Sequence, residues 1–139
     1  MSALEVSVEH LGAVQFEIKA RQQVIVSDQP LENGGFDEGM TPPELMLAAL
    51  GSCAAYYAAE YLRVNHLAQL GTRVEVSAQK AKNPPRMDNF EIKIESPAAL
   101  TDEQRKGVEA AVHRCLIHNT LTHPPQIAIV VHEAASKTA

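Results

Sequence analysis

Residues 41–62 read TPPELMLAALGSCAAYYAAEYL, and the fold turns on how that stretch is taken. Thr41 and Glu44 form a T-x-x-E capping box, in which two side chains reciprocally satisfy backbone N–H groups at a helix start. Pro42 stands at the first helical position, where a missing N–H costs nothing. Behind this start Leu45, Met46, Ala49, Leu50, Cys53, Ala54, Tyr57, Tyr61 and Leu62 recur at spacings of three and four, and most other positions are Ala, Leu, Gly or Ser. The spacing predicts a helix over about 42–63 that is apolar nearly all round, hence central and buried.

Upstream, Leu4–His10, Val14–Ala20 and Gln23–Ser27 read as a three-stranded meander, with Val14, Phe16, Ile18 and Ala20 on one face and Gly12 in the first turn. DQPLENGGFDEGM, residues 28–40, has no period and is rich in Gly, Asp and Glu, so it reads as a surface loop. Loops of that length tend to be functional or mobile. Downstream, RVEVSAQK turns Val74, Val76 and Ala78 inward and NFEIKIES turns Phe90, Ile92 and Ile94 inward, with KNPPRMD as the hairpin loop. Thr101 and Gln104 offer a second capping box, and Val108, Ala111, Val112, Cys115 and Leu116 make one helical stripe ending near His118 and Asn119. Pro124 and Pro125 stop it, and Gln126–His132 reads as a last strand. The order βββ-α-ββ-α-β has no βαβ alternation, which predicts a single α+β domain over 1–139 with residues 133–139 a frayed polar tail.

A chain of 139 residues can hold a core without staples. With 12 Lys plus Arg against 17 Asp plus Glu, its net charge of −5 argues against nucleic acid or an anionic membrane as partner. MSALEVSVEH lacks a basic start followed by a long apolar core, so no secretory signal or transit peptide is expected. The longest apolar run, Leu45–Leu50, is short for a bilayer span. The expected compartment is therefore the reducing cytoplasm, where a transient catalytic disulfide is more at home than a standing one. No GxGxxG or GxxxxGK[ST] occurs, so no nucleotide cofactor is expected. GGFDEG is too acidic to cradle phosphate, and no GxSxG elbow surrounds Ser52.

The only cysteines are Cys53 and Cys115, each inside an apolar helical segment. They are either two inert small hydrophobes or a nucleophile and its resolving partner. A reactive thiol must be a thiolate, which a cation, a hydrogen-bond donor or a helix N-terminus provides. Cys53 lies about three turns into its helix, beyond the reach of the dipole, and Thr41–Leu62 contains no Lys, Arg or His. Burial alone would raise its pKa, so local sequence leaves both readings open. His113, Cys115, His118 and His123 fail as a metal set, because positions 113 and 115 of one helix point about 200° apart. No metal is expected; His118 reads as a helix C-terminal residue answering the dipole, or as a neighbour of the thiol. Aromatic residues here are by default packing residues. Should a substrate pocket exist, Met46 and Tyr57 are within helical reach of Cys53, and Tyr56 and Phe36 could rim it.

GMTPPELMLAALGSCAAYYAAEYL resembles the central-helix signature of the OsmC-like family, the group containing osmotically inducible protein C and the organic hydroperoxide resistance protein. VHRCLIHNTLTHPP resembles the second-cysteine motif of that family, and the element order agrees over almost the whole chain. The resemblance implies an intertwined homodimer with the two cysteines of each site close together at the subunit interface, and no cofactor. It implies that Cys53 is a peroxidatic thiolate attacking an organic hydroperoxide, that Cys115 condenses with its sulfenic acid, and that an external thiol or dithiol reduces the disulfide. Arg21 resembles the activating arginine of the hydroperoxide-resistance branch. The glutamate that accompanies it there falls at Pro43 in this chain, with Glu44 one residue on and already explained by its capping box. That departure places the chain nearer the less characterised branches of the family. The alternative is a non-catalytic dimer that binds a small apolar ligand and whose cysteines only pack.

Overall fold

Both capping boxes form. In the computed structural model, which describes residues 3–135, Thr41 Oγ1 accepts the Glu44 N–H while the Glu44 carboxylate accepts the Thr41 N–H, and helix α1 runs Pro42–Val64. Thr101 and Gln104 open helix α2, Asp102–Val112, in the same way. Strands β1 (Ser7–Gly12), β2 (Gln15–Ala20) and β3 (Gln23–Ser27) make an antiparallel sheet in sequence order. Strands β4 (Arg73–Ala81) and β5 (Arg86–Glu95) make a second, two-stranded one. The architecture is α+β, as expected.

The hairpin loop is shorter than its prolines suggest. The Arg86 guanidinium donates to the carbonyls of Lys82 and Pro84, which draws residues 86–88 into β5.

The core lies where β4–β5 and α2 meet α1. Val74, Ile92 and Ile94 pack against a cluster of Ala54, Ala58, Leu62, Val108 and Val112. Along α1 the fully buried positions are Leu50, Ala54, Ala58 and Leu62, spaced by four so that they form one stripe. Gly107 in mid-α2 has a packing reason: a Cβ there would collide with the Tyr61 ring of α1. The roughly 1 kcal/mol that glycine costs in a helix interior is offset by that close approach.

Three expectations are corrected. First, α1 is buried on one side only; Met46 and Tyr56 on its other side are exposed, because a single chain supplies only one layer to cover it. By length and mean hydropathy α1 is apolar enough to cross a membrane, which the run Leu45–Leu50 did not suggest, yet its partners here are β4, β5, α2 and the short helix that follows α2. Second, the helix through residue 119 is two helices, α2 and α3 (Leu116–Thr122). Third, Gln126–His132 is not a strand. No ladder pairs it among the described residues, and Ile127, Ile129, Val130 and Val131 are 71–88 % exposed; alternation alone makes no strand without an edge to bond. Of the expected frayed tail, Glu133–Ala135 have no regular structure, and residues 136–139 lie outside those described.

The loop at 28–40 is more ordered than its composition suggests. Asp28 is 1 % exposed. One of its oxygens accepts the N–H groups of Phe36 and Glu38 and the Gln15 side-chain amide, and the other accepts the Gln29 N–H. Gly35 and Gly39 allow this winding, since a Cβ on either would strike the backbone of Gln29 or Val26. Burial pushes the Asp28 carboxyl up, but the hydrogen bonds from Gln29, Glu38, Gln15 and Phe36 together outweigh it and hold it below the ordinary range. Its contribution is therefore complete above about pH 4 and lost as the pH falls through the lower folded value. Asp28→Asn, which sets an NH2 against N–H donors, should lower the denaturation midpoint at neutral pH by a constant amount, with the difference from wild type closing below about pH 4. A difference unchanged in acid would contradict this role.

Candidate functional site

The interruption between α2 and α3 builds the site. At the end of α2 the N–H groups of Arg114 and Cys115 bond the carbonyls of Ala111 and Val112 three residues back, a tightening common at helix ends. Cys115 then leaves helical geometry (φ −59°, ψ 126°) and becomes the N-cap of α3, its Sγ accepting the His118 N–H at 3.4 Å. The thiol thus takes the place that serine or aspartate more often fills. No glycine or proline marks the break, so the stripe through Leu116 looked continuous.

This turn presents the start of α3 to α1. Both cysteines are free; Cys115 is fully buried and Cys53 half-buried. Burial pushes the Cys53 thiol up, yet hydrogen bonds from the Cys115 thiol and from the N–H groups of Ile117 and Leu116 outweigh it and hold Cys53 below the ordinary cysteine value. Those N–H groups belong to the first turn of α3, where no intrahelical acceptor exists for them. Cys115 moves the other way. Burial raises it, and its hydrogen bond to Cys53 keeps it protonated against the pull of the His118 and Ile117 N–H groups. The pair is therefore asymmetric, with a more accessible sulfur stabilised as thiolate beside a buried protonated one.

The other sequence candidates distribute as follows. Arg21 occupies the β2–β3 turn at φ 57°, exposed, and the groups that shift Cys53 do not include it. The Glu44 carboxylate is engaged by the Thr41 N–H and hydroxyl, which hold it below the usual range. Met46, with Leu50, Met87, Phe90, His118 and Leu121, lines a cavity of about 700 Å³ whose α1 wall ends at Leu50, about one turn before Cys53. Tyr56, Tyr57 and Phe36 line neither this cavity nor a second of about 760 Å³ between α1, β5 and α2. Tyr56 and Tyr57 contact edge to face at 5.3 Å. His118 is at the start of α3 rather than at a helix C-terminus, its ring 5.2 Å from that of His113.

Sequence reasoning missed the backbone donors of Leu116 and Ile117, and it missed Arg114, whose guanidinium carbon lies 6.0 Å from the Tyr57 ring centroid.

Cys53 should alkylate with iodoacetamide at a pH midpoint below the ordinary cysteine value of about 8.5. Cys115→Ala removes both the donor and the α3 cap and should raise that midpoint, whereas Cys115→Ser, which keeps a hydroxyl donor and cap, should raise it less. Equal midpoints in all three proteins would show that the thiol pair does not set Cys53.

The pattern of the family described as OsmC-like protein matches residues 35–130. None of the curated proteins matches the chain. Among solved structures, a Psychrobacter arcticus 273-4 protein assigned to osmotic stress induction and detoxification response is 24 % identical, covering 89 % of this chain and 91 % of that one with a TM-score of 0.78. An OsmC-like protein from Mycoplasma pneumoniae is 16 % identical over 88 % of this chain and 89 % of that one, with a TM-score of 0.76. An organic hydroperoxide resistance protein OsmC from Legionella pneumophila is 15 % identical over 88 % and 91 %, with a TM-score of 0.59. At these identities the likeness is one of fold.

Proposed function

The chain belongs to the OsmC-like protein family, whose pattern spans residues 35–130, and from that premise we propose that it reduces organic hydroperoxides through its paired thiols. The observation that carries the reading is the asymmetry of the pair: a half-buried Cys53 held below its ordinary pKa by Cys115 and the α3 N–H groups, against a buried Cys115 held above it. The hydroperoxide-resistance role of the Legionella neighbour supports it.

In the proposed reaction the Cys53 thiolate attacks the distal oxygen of the hydroperoxide. An S–O bond forms and the O–O bond breaks; the alkoxide takes a proton and leaves as alcohol, and Cys53 becomes a sulfenic acid. The Cys115 sulfur then displaces that oxygen as water and closes a Cys53–Cys115 disulfide. Two equivalents of an external thiol, or one dithiol, restore both cysteines and are themselves oxidised to a disulfide. The α3 N–H groups would steady negative charge on Cys53 without any lysine, arginine or histidine in α1. Activation by Arg21 belongs to this proposal only if a second subunit brings the β2–β3 turn to the thiols.

A homodimer is part of the reading. The β1–β3 sheet leaves Val8, Leu11, Val24 and Ile25 exposed, as is the unpaired Ile127–Val131 segment, and a second copy of the chain would cover both. Sedimentation equilibrium should give a mass of two chains; a monomer at micromolar concentration would contradict this.

A second reading, a non-catalytic dimer holding a small apolar ligand, draws on the two cavities, neither of which is lined by a cysteine. One experiment separates the two. One equivalent of cumene hydroperoxide should make the reduced protein two mass units lighter and remove both titratable thiols. Cys115→Ser should stop at a sulfenic acid that dimedone traps, and Cys53→Ser should not react. If both thiols still titrate in the wild type, the peroxidase reading fails and the binding reading takes its place.

A further inference from the structure

Arg114 stands where the two halves of the thiol site meet. The α2–α3 break leaves it exposed immediately before the buried Cys115, and its guanidinium lies over Tyr57, 6.0 Å from the ring centroid. Tyr57 follows Cys53 by one helical turn, so both side chains lie on the same side of α1. The cation–π contact thus holds a positive charge against a residue one helical turn from Cys53, outside the set of groups that shift the thiol itself.

That charge has no carboxylate partner among the described residues. Among the described residues the ion pairs engage Lys19, Arg63, Arg73, Arg86 and Lys93, each with a nearby acid. The nearest acid to Tyr57 along α1, Glu60, is already held by Arg63. A guanidinium resting on a ring uses its π face and keeps its in-plane N–H donors available, and that fork matches a carboxylate. The chain as a whole, at −5, repels anions at long range. Any preference of this site for an acidic molecule must therefore be set locally.

We propose that Arg114 is a positioning residue for substrate: it receives the anionic group of a hydroperoxide, with Tyr57 steadying the guanidinium, and so favours carboxylate-bearing hydroperoxides over neutral ones. This rests on the peroxidase reading above. The carboxylate is not consumed, and the bonds made and broken are those already given.

Two measurements on the reduced protein test it. The first compares cumene hydroperoxide with its para-carboxylate in wild type, Arg114→Gln and Arg114→Lys. Wild type should favour the carboxylate by about fivefold in kcat/KM, chiefly through KM, with the preference weakening as salt is added. In Arg114→Gln the ratio should fall to about one, and Arg114→Lys should keep part of it. A ratio unchanged between wild type and Arg114→Gln overturns the proposal, and because it is a ratio, general damage to the site does not mimic the effect. The second measures alkylation of Cys53 by iodoacetate relative to iodoacetamide, which needs a thiolate and no peroxidase activity. That ratio should also fall severalfold in Arg114→Gln. If neither hydroperoxide oxidises the protein and the alkylation ratio still falls, the peroxidase reading is wrong and Arg114 retains its role as the anion-receiving group of the site. If the hydroperoxides react and neither ratio moves, Arg114 has no such role.

Discussion

The hydrogen bonds at the start of α3 are what the candidate chemistry depends on. A cysteine in the middle of an apolar helix has every physical reason to be an inert thiol: desolvation disfavours the thiolate, and the dipole of α1 is spent by the third turn. What reverses this at Cys53 comes from outside its helix. The Ile117 and Leu116 N–H groups, unpaired within α3 because they open it, and the Cys115 thiol together hold the Cys53 thiol below its ordinary value against the effect of burial. Cys115 can do this only because it is the N-cap of α3, so a single break in a helix both delivers the donors and sets the second sulfur against the first.

The remainder of the fold serves to hold that junction. The capping box at Thr41 and Glu44 fixes where α1 starts, and the small residues Ala54 and Ala58 let α1 sit close to β4–β5 and α2. Gly107 allows Tyr61 to lie across α2. Asp28 winds the preceding loop so that Met40, whose carbonyl accepts the Asp28 N–H, leads directly into the cap. The alternation of Cys53 and Cys115 between half-buried and buried follows from these contacts: α1 is covered on the side of Leu50, Ala54 and Ala58 and open on the side of Met46 and Tyr56.

Arg21 and Glu44 show how far a resemblance carries residue by residue. Glu44 is occupied by its cap, and Arg21 tips a turn whose sheet makes little contact with the helices of its own chain. Arg114 lies inside the second-cysteine stretch without being given a role by the resemblance, yet it is the arginine that lies over Tyr57, one turn from Cys53. Proximity in the folded chain and likeness of motif single out different residues here, because a resemblance assigns roles by position in a motif, while the contact between the α2–α3 break and α1 exists only once the chain is folded.

By itself the sequence determined the α+β class, both capping boxes, the strands of both sheets and the identity of the two thiols. These rest on local rules: cap residues three apart, side-chain periods of two and of about three and a half, and turn residues. It did not determine the break at residues 113–115, because an unbroken apolar stripe and an i→i−3 tightening with a thiol cap read alike in one dimension. Nor could it show that Gln126–His132 has the alternation of a strand and no edge to join, or that Asp28 is the buried acceptor of its loop. Those depend on which backbone donors and acceptors find partners, and only the tertiary structure decides that. The state of Cys53 is of the same kind: its own neighbours in sequence push its pKa up, and donors more than sixty residues away bring it down.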